Sequence, residues 1–291
     1  MKAALCFVLC LFSVVNLEQS IYDQKDVAAL MQILRDNPKI FSSEEKGKEV
    51  LGWDDKECAR WDHVIWSSDT PKRVEGLNLS GFDIEKIDLS SLIGLKNLDL
   101  SHNKIVSLSL PNSLEMIDIS NNCLTKVDCS YMSSLESLVV SKNEITSILL
   151  PQYSKLQLLN IRCNQLKGIN LSGQRKLISI NFSTNYIKTI DLGFNHELKT
   201  IKGRNNELKT VWMPTLLKNP FPDIEIKNRP NSKYSFPRLK VKNILVNNEL
   251  NKMYKKNAKE MVNMTNGIIS FKIPNSDRVV AHKNNPKIYV F

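Results

Sequence analysis

"LQLLNIRCNQLKGINLSGQRK" occupies residues 156–176, "LISINFSTNYIKTIDLGFNHE" residues 177–197, and "LKTIKGRNNELKTVWMPTLLK" residues 198–218. The three begin 21 residues apart. A fixed period of this length marks a repeat architecture and constrains the fold before any other feature. Written as L-x-x-L-x-L-x-x-N-x-L, the same pattern also begins at Leu95, Leu114 and Leu135. Its central Asn falls at Asn103, Asn122, Asn143, Asn164, Asn185 and Asn206. A degenerate first copy begins at Val74 and has Phe82 where the Asn belongs.

Each half of the pattern has a physical reason. In L-x-L the inward positions alternate, as a strand of period 2 requires, so Leu159 and Ile161 point in and Asn160 points out. The Asn ends the strand at a tight bend, where its amide can bond backbone groups that Leu would leave unpaired. Stacked coil on coil, these amides should form a ladder. Leu166, Ile169 and Leu171 repeat the spacing, so each coil should contain two short extended segments and little or no helix. One coil cannot bury enough apolar surface to offset the entropy of ordering its chain, so stacking must supply the remainder.

These copies resemble the leucine-rich repeat family over about residues 74–214, and their 21-residue length resembles the short repeats of secreted bacterial and protist members. Upstream, "DVAALMQIL" and then "GWDDKECARWDHVIWSSDTPKRVEGLNLSG" resemble the N-terminal cap of extracellular members. Trp53, Cys58, Trp61, Val64, Arg73 and Val74 fit that cap. Its second Cys would fall near Trp66, so packing of Trp61 and Trp66 is expected in place of the cap disulfide. The resemblance implies a mainly β solenoid: a leucine-rich repeat array of about seven coils, with an N-terminal helical cap (19–73) and a small α+β C-terminal cap or subdomain (215–291). It also implies non-catalytic recognition of a protein partner or adhesion.

The net charge of +10 is uneven. Residues 199–291 hold 19 Lys/Arg against 6 Asp/Glu, whereas the first 198 residues hold 21 against 24. "MKAALCFVLCLFSVV" has a Lys and then an apolar run, the form of a secretory signal peptide. We place that segment at residues 1–18, with cleavage between Ser13 and Ser20, and expect a secreted chain. The run is shorter than the roughly 20 apolar residues of a membrane span, and no later segment is long enough. Cys58, Cys123, Cys129 and Cys163 lack metal-ligand spacing, and Cys129 stands where an inward Leu belongs. His63, His102, His196 and His282 are scattered without a paired nucleophile. No Cys follows Cys163, which removes the catalytic thiol of ligase-bearing bacterial members. No enzyme activity, cofactor or metal is expected.

After Pro214 the period is lost. Strands are expected at 224–226, 239–246, 267–273 and 287–291. Leu250, Met253, Tyr254, Ala258, Met261 and Val262 fall near helical spacing with Asn248 as N-cap. The expected binding surface is the strand face, where Asp99, Asp118, Val139, Leu158, Asn160, Arg162, Asn181, Lys202 and Arg204 point outward. Val139 and Leu158 are apolar at solvent-facing positions. The plain alternative is a solvated face rich in Ser. Lys252, Lys255, Lys256 and Lys259 could meet an anionic polymer such as a glycan, cell wall or nucleic acid, or simply form a solvated helix face. Leu149, Trp212, Pro111 and Pro151 fall on the opposite strands. Sequons stand at Asn78, Asn170, Asn181 and Asn263.

Overall fold

The computed structural model describes residues 21–41, 44–53, 58, 61–214 and 223–230, and the backbone of short strands at 238–242, 262–265, 268–271, 281–282 and 285–286. The signal segment, the helical spacing from Leu250 to Met261 with its four Lys residues, and the strand expected at 287–291 lie outside the described residues. Among the described residues no helix is long and apolar enough to cross a membrane. The chain divides into two compact units, residues 1–123 and 124–291. The β-solenoid has about seven turns, three in the first unit and four in the second.

The first unit opens with α1 (Gln24–Asp36), α2 (Pro38–Phe41) and α3 (Glu44–Leu51). Asp23 caps α1, its carboxylate accepting the Lys25 and Asp26 N–H groups at 2.9 and 3.3 Å. Asp26, Leu30, Ile33 and Leu34 form its buried stripe, at the spacing of one helix face. Strand β1 (Val64–Trp66) pairs antiparallel with β2 (Val74–Asn78), and β2, β4 (Asn97–Asp99) and β6 (Met116–Asp118) follow in parallel. On the other side of the coils, β3 (Lys86–Asp88) pairs with β5 (Ser107–Ser109). Trp53 stacks on Trp61 at 5.5 Å, Trp61 meets Trp66 at 6.1 Å, and Tyr22 meets Trp66 edge-on at 4.7 Å. The Trp66 Nε1–H donates to the Cys58 carbonyl at 2.7 Å. Aromatic packing thus fills the place where the cap that this segment resembles has its second Cys, and none of Cys58, Cys123, Cys129 and Cys163 forms a disulfide.

In the second unit β8 (Ser137–Val139), β10 (Leu158–Asn160), β11 (Ser179–Asn181), β13 (Thr200–Asn206) and β15 (Asp223–Asn228) form one parallel sheet. Opposite them β7 (Lys126–Asp128) pairs with β9 (Ser147–Leu149). Likewise β12 (Thr189–Asp191), β14 (Thr210–Pro214) and β16 (Arg238–Lys242) pair in parallel. Register is kept beyond Pro214 although the 21-residue spacing is not: β15 and β16 extend the two sheets. Strand β17 (Val262–Thr265) pairs antiparallel with β18 (Ile268–Phe271), and β19 (Ala281–His282) with β20 (Asn285–Pro286). Val262 therefore belongs to a strand, not to the end of a helix. The two paired runs are separated by Asn266-Gly267, a dipeptide suited to a hairpin turn, and this local signal outweighs the helical spacing read through Val262.

The core follows the pattern. Leu156, Leu159, Ile161, Leu166 and Leu171 are all buried, as are their counterparts Leu177, Ile180, Phe182, Ile187 and Leu192. Cys129 is fully buried, and desolvation pushes its thiol up to about 12, so it acts as a small hydrophobe. The Asn ladder forms. Asn185 Oδ1 accepts the Leu166 N–H at 3.0 Å, and its Nδ2 donates to the Ile161 carbonyl at 2.9 Å and the Phe182 carbonyl at 3.1 Å. Asn103, Asn122, Asn164 and Asn206 bond in the same way. Asn228, unread in the sequence, adds a further rung by accepting from Leu208 N–H at 2.7 Å.

The residue before each of the six Asn positions of the repeat, and Gly81 before Phe82, is left-handed: Gly81, His102, Asn121, Lys142, Cys163, Thr184 and Asn205 have φ between 55° and 80°. A β-branched residue is the least suited of these to that region. Thr184→Asn should therefore raise stability by about 1 kcal/mol, read as a higher denaturation midpoint. A lower midpoint would mean that the hydroxyl contributes more than the strain removes.

Gly203 stands where the repeat has an inward Leu. A Cβ there would lie 2.3 Å from Cζ of the buried Phe182, so one large ring fills the space of two coils. Gly203→Leu should cost at least about 1–3 kcal/mol by overpacking, and adding Phe182→Leu should recover most of it. An unchanged midpoint in the single variant would refute this account.

Candidate partner-binding face

Three positions per coil form the strand face: the first and third strand residues and the residue two beyond. The third residue has a structural task in most coils. Asn78, Asp99 and Asp118 accept the N–H of Ser80, Ser101 and Ser120 at 3.0, 2.9 and 2.9 Å. Asn160 and Asn181 accept those of Arg162 and Ser183 at 3.2 and 3.1 Å. Each Asx turn ends its strand and leads the chain into the bend. Asp99, Asp118, Asn160 and Asn181 are thus engaged in holding the coil. The small hydroxyls beyond them also bond locally: Ser80 and Ser101 Oγ lie 2.8 Å apart.

The same turn recurs on the second segments. Ser90 and Ser130, by hydroxyl and then by backbone N–H, hold the Asp88 and Asp128 carboxyls below the usual carboxylate range. A lowered folded pKa stabilises the fold above the ordinary carboxylate value, and that contribution is lost as pH falls through the lowered value.

Against this rule some residues depart. Val139 and Lys202 stand where the turn uses Asp or Asn. Arg162 and Arg204 replace the small Ser, and Leu158, 39% exposed, replaces a polar first position. All five lie on β8, β10 and β13 or just beyond them, in the second unit. The first unit has Met116, 51% exposed. Arg204 is ion-paired to Glu225 of β15. Among the described residues neither Arg162 nor Lys202 has an ion pair, and both are exposed. Strand β15 also places Asp223 and exposed Lys227 on this face. The sequence reading missed these residues because Asn228 comes 22 residues after Asn206 and one residue early in its motif. The alternation in "DIEIKN" was the available signal.

Lys252, Lys255, Lys256 and Lys259, read as an anionic contact, lie outside the described residues. On the opposite strands Leu149 is 53% exposed, whereas Pro111 and Pro151 are buried and Trp212 half-buried. A concavity of about 360 Å³ lined by Asp36, Lys86, Asp88, Ser107 and Ser109 lies on β3 and β5 rather than on the strand face. Among the described residues no cluster of His, Cys, Asp and Glu could hold a metal ion.

No protein-family model and no curated protein matches the chain. Among solved structures it is similar to the functional domain of InlJ from Listeria monocytogenes, at 27% identity and a TM-score of 0.44, covering 46% of this chain and 30% of that one. It is similar to the leucine-rich repeat domain of APL1B at 23% identity and a TM-score of 0.41, covering 45% and 41%. A leucine-rich repeat protein of Leptospira interrogans follows at 21% identity and a TM-score of 0.39, covering 48% and 45%. The chain spans less than half the length of each of these.

Proposed function

We infer that this leucine-rich repeat protein is a non-catalytic recognition molecule, exported from the cell, that binds a protein partner through the strand face of its second unit. The observation that supports this reading is the set of departures from the repeat's own structural rule. Val139 forgoes the side-chain acceptor that Asn and Asp supply at its position. Leu158 leaves apolar surface in water. Such local violations without structural gain are expected where a binding site overrides the fold. The exposed groups are apolar and basic rather than a nucleophile with its base, so the chemistry fits association, not catalysis.

Site-specific cross-linking tests this in the full chain. A photoreactive phenylalanine analogue at Ser179, on the strand face, is compared with the same group at Thr146, on the other side of the coil. Both are exposed to material from the source organism and its surroundings. A polypeptide adduct specific to the Ser179 position supports the proposal. Equal adducts at both positions, or none, would reject it.

A further inference from the structure

We propose that the partner segment this face accepts is an extended, acidic peptide carrying one apolar side chain, three or four residues from its first carboxylate. The proposal rests on the recognition reading above and gives it a chemistry. Val139 and Leu158 are cross-strand neighbours on β8 and β10: Leu158 pairs with Ser137, and Asn160 with Val139. Within the second unit they form an apolar spot whose other neighbours on the face, Ser137, Asn160 and Ser179, are small or polar, enough for one side chain. Beyond it the charge turns positive. Arg162, Lys202, Arg204 and Lys227 face outward against Asp223 and Glu225. Because Glu225, which stands opposite Lys202 in the register, is ion-paired to Arg204, Arg162 and Lys202 are the cations nearest the apolar spot that form no ion pair among the described residues.

The spacing follows from sheet geometry. Strands β10 and β13 are two intervals apart through β11, roughly 10 Å at about 4.8 Å per interval. Lys202 is two residues further along its strand than the position opposite Leu158, about 7 Å more. The diagonal is about 12 Å, which an extended peptide covers in three or four residues. A continuous polyanion fits less well. Asp223 and Glu225 would repel it at the far edge, and it would bring nothing apolar to Leu158. Discrete carboxylates and one aliphatic or aromatic side chain satisfy both ends.

The test is a selection of random twelve-residue peptides displayed on phage against the full chain, run beside the double variant Leu158→Ser/Arg162→Glu. Circular dichroism melts confirm that the variant folds. Enrichment of peptides with an apolar residue three or four positions from Asp or Glu, lost on the variant, is the expected result. A synthetic peptide of that consensus should then bind Lys202→Glu at least about fivefold more weakly at 0.15 M salt. If the enriched peptides lack acidic residues yet are lost on the variant, the face still binds and the acidic chemistry is wrong. If acidic peptides bind the variant equally, the binding lies elsewhere and both readings of this face fall. Enrichment of nothing overturns the peptide proposal and leaves the recognition reading to the cross-linking experiment.

Discussion

Replacing Arg73 by Ala is expected to destabilise the first unit by about 3–5 kcal/mol, the usual loss when one partner of a buried ion pair is removed. Asp26 has no exposed surface. Its carboxylate is held by Arg73 Nη2 at 2.6 Å and Nε at 3.3 Å, and by the Val74 N–H at 2.9 Å. The desolvated charge is thus tied to the guanidinium and to the first residue of β2, which joins the cap helix to the first coil. The Asp26 hydrogen bond, aided by the nearby Asp26 and Asp23 charges, raises the Arg73 pKa despite burial. Without Arg73 the carboxylate stays buried with one backbone donor.

Urea unfolding followed by tryptophan fluorescence measures the effect, since Trp53, Trp61 and Trp66 all lie in the cap that this contact ties down and only Trp212 reports on the second unit. Asp26→Asn should cost less than Arg73→Ala, because the amide oxygen still accepts from Val74, no buried carboxylate is left unpaired, and the partly exposed Arg73 keeps Asp23 at 3.7 Å. The paired replacement Asp26→Leu/Arg73→Leu should be milder than Arg73→Ala. A loss below about 1 kcal/mol in Arg73→Ala would mean that the pair behaves as an exposed ion pair and does not hold the cap.

Asn185→Leu should cost about 2–5 kcal/mol, although it places the residue most common in the repeat at a fully buried site. It removes both bonds that cross to the neighbouring coil and leaves the Leu166 N–H and the Ile161 carbonyl buried without that partner. A buried polar group stripped of its partner costs roughly 1–3 kcal/mol. Asn185→Asp keeps the acceptor but loses the donor and sets a buried carboxylate against the Ile161 and Phe182 carbonyls, so at neutral pH it should cost at least as much as Asn185→Leu. Thermal and urea midpoints of the three proteins check the order. Equal midpoints for the wild type and Asn185→Leu would show that the ladder is dispensable and that the apolar stack alone specifies the coils.

Much of this architecture was legible in the sequence because its determinants are local and repeated. The L-x-L alternation places side chains on two faces without reference to distant residues, and six copies of the Asn announce the ladder. The cap helix was signalled by the resemblance of "DVAALMQIL" to an extracellular N-terminal cap, and its buried stripe of Asp26, Leu30, Ile33 and Leu34 is seen in the structure. Other features depend on neighbours in space. The left-handed residue before each Asn can be His, Asn, Lys, Cys or Thr, so no residue type betrays it. The bend geometry alone selects that conformation. Gly203 looks like a defect in one copy until Phe182 is seen filling its place from the coil before.

The candidate face shows the same division. Outward orientation of all nine strand-face residues followed from period-2 alternation, which chemistry fixes along the chain. Which of them are committed to the fold did not, because Asp99, Asp118, Asn160 and Asn181 differ from free surface residues only in a turn hydrogen bond. That Glu225 neutralises Arg204 is a parallel pairing between β13 and β15, across a segment whose spacing had already left the repeat. The sequence by itself determined the solenoid, its core and its inward–outward alternation, since these recur once at a 19-residue and otherwise at a 21-residue spacing. The tertiary structure decided which surface groups remain available to a partner, since availability is set by contacts between coils.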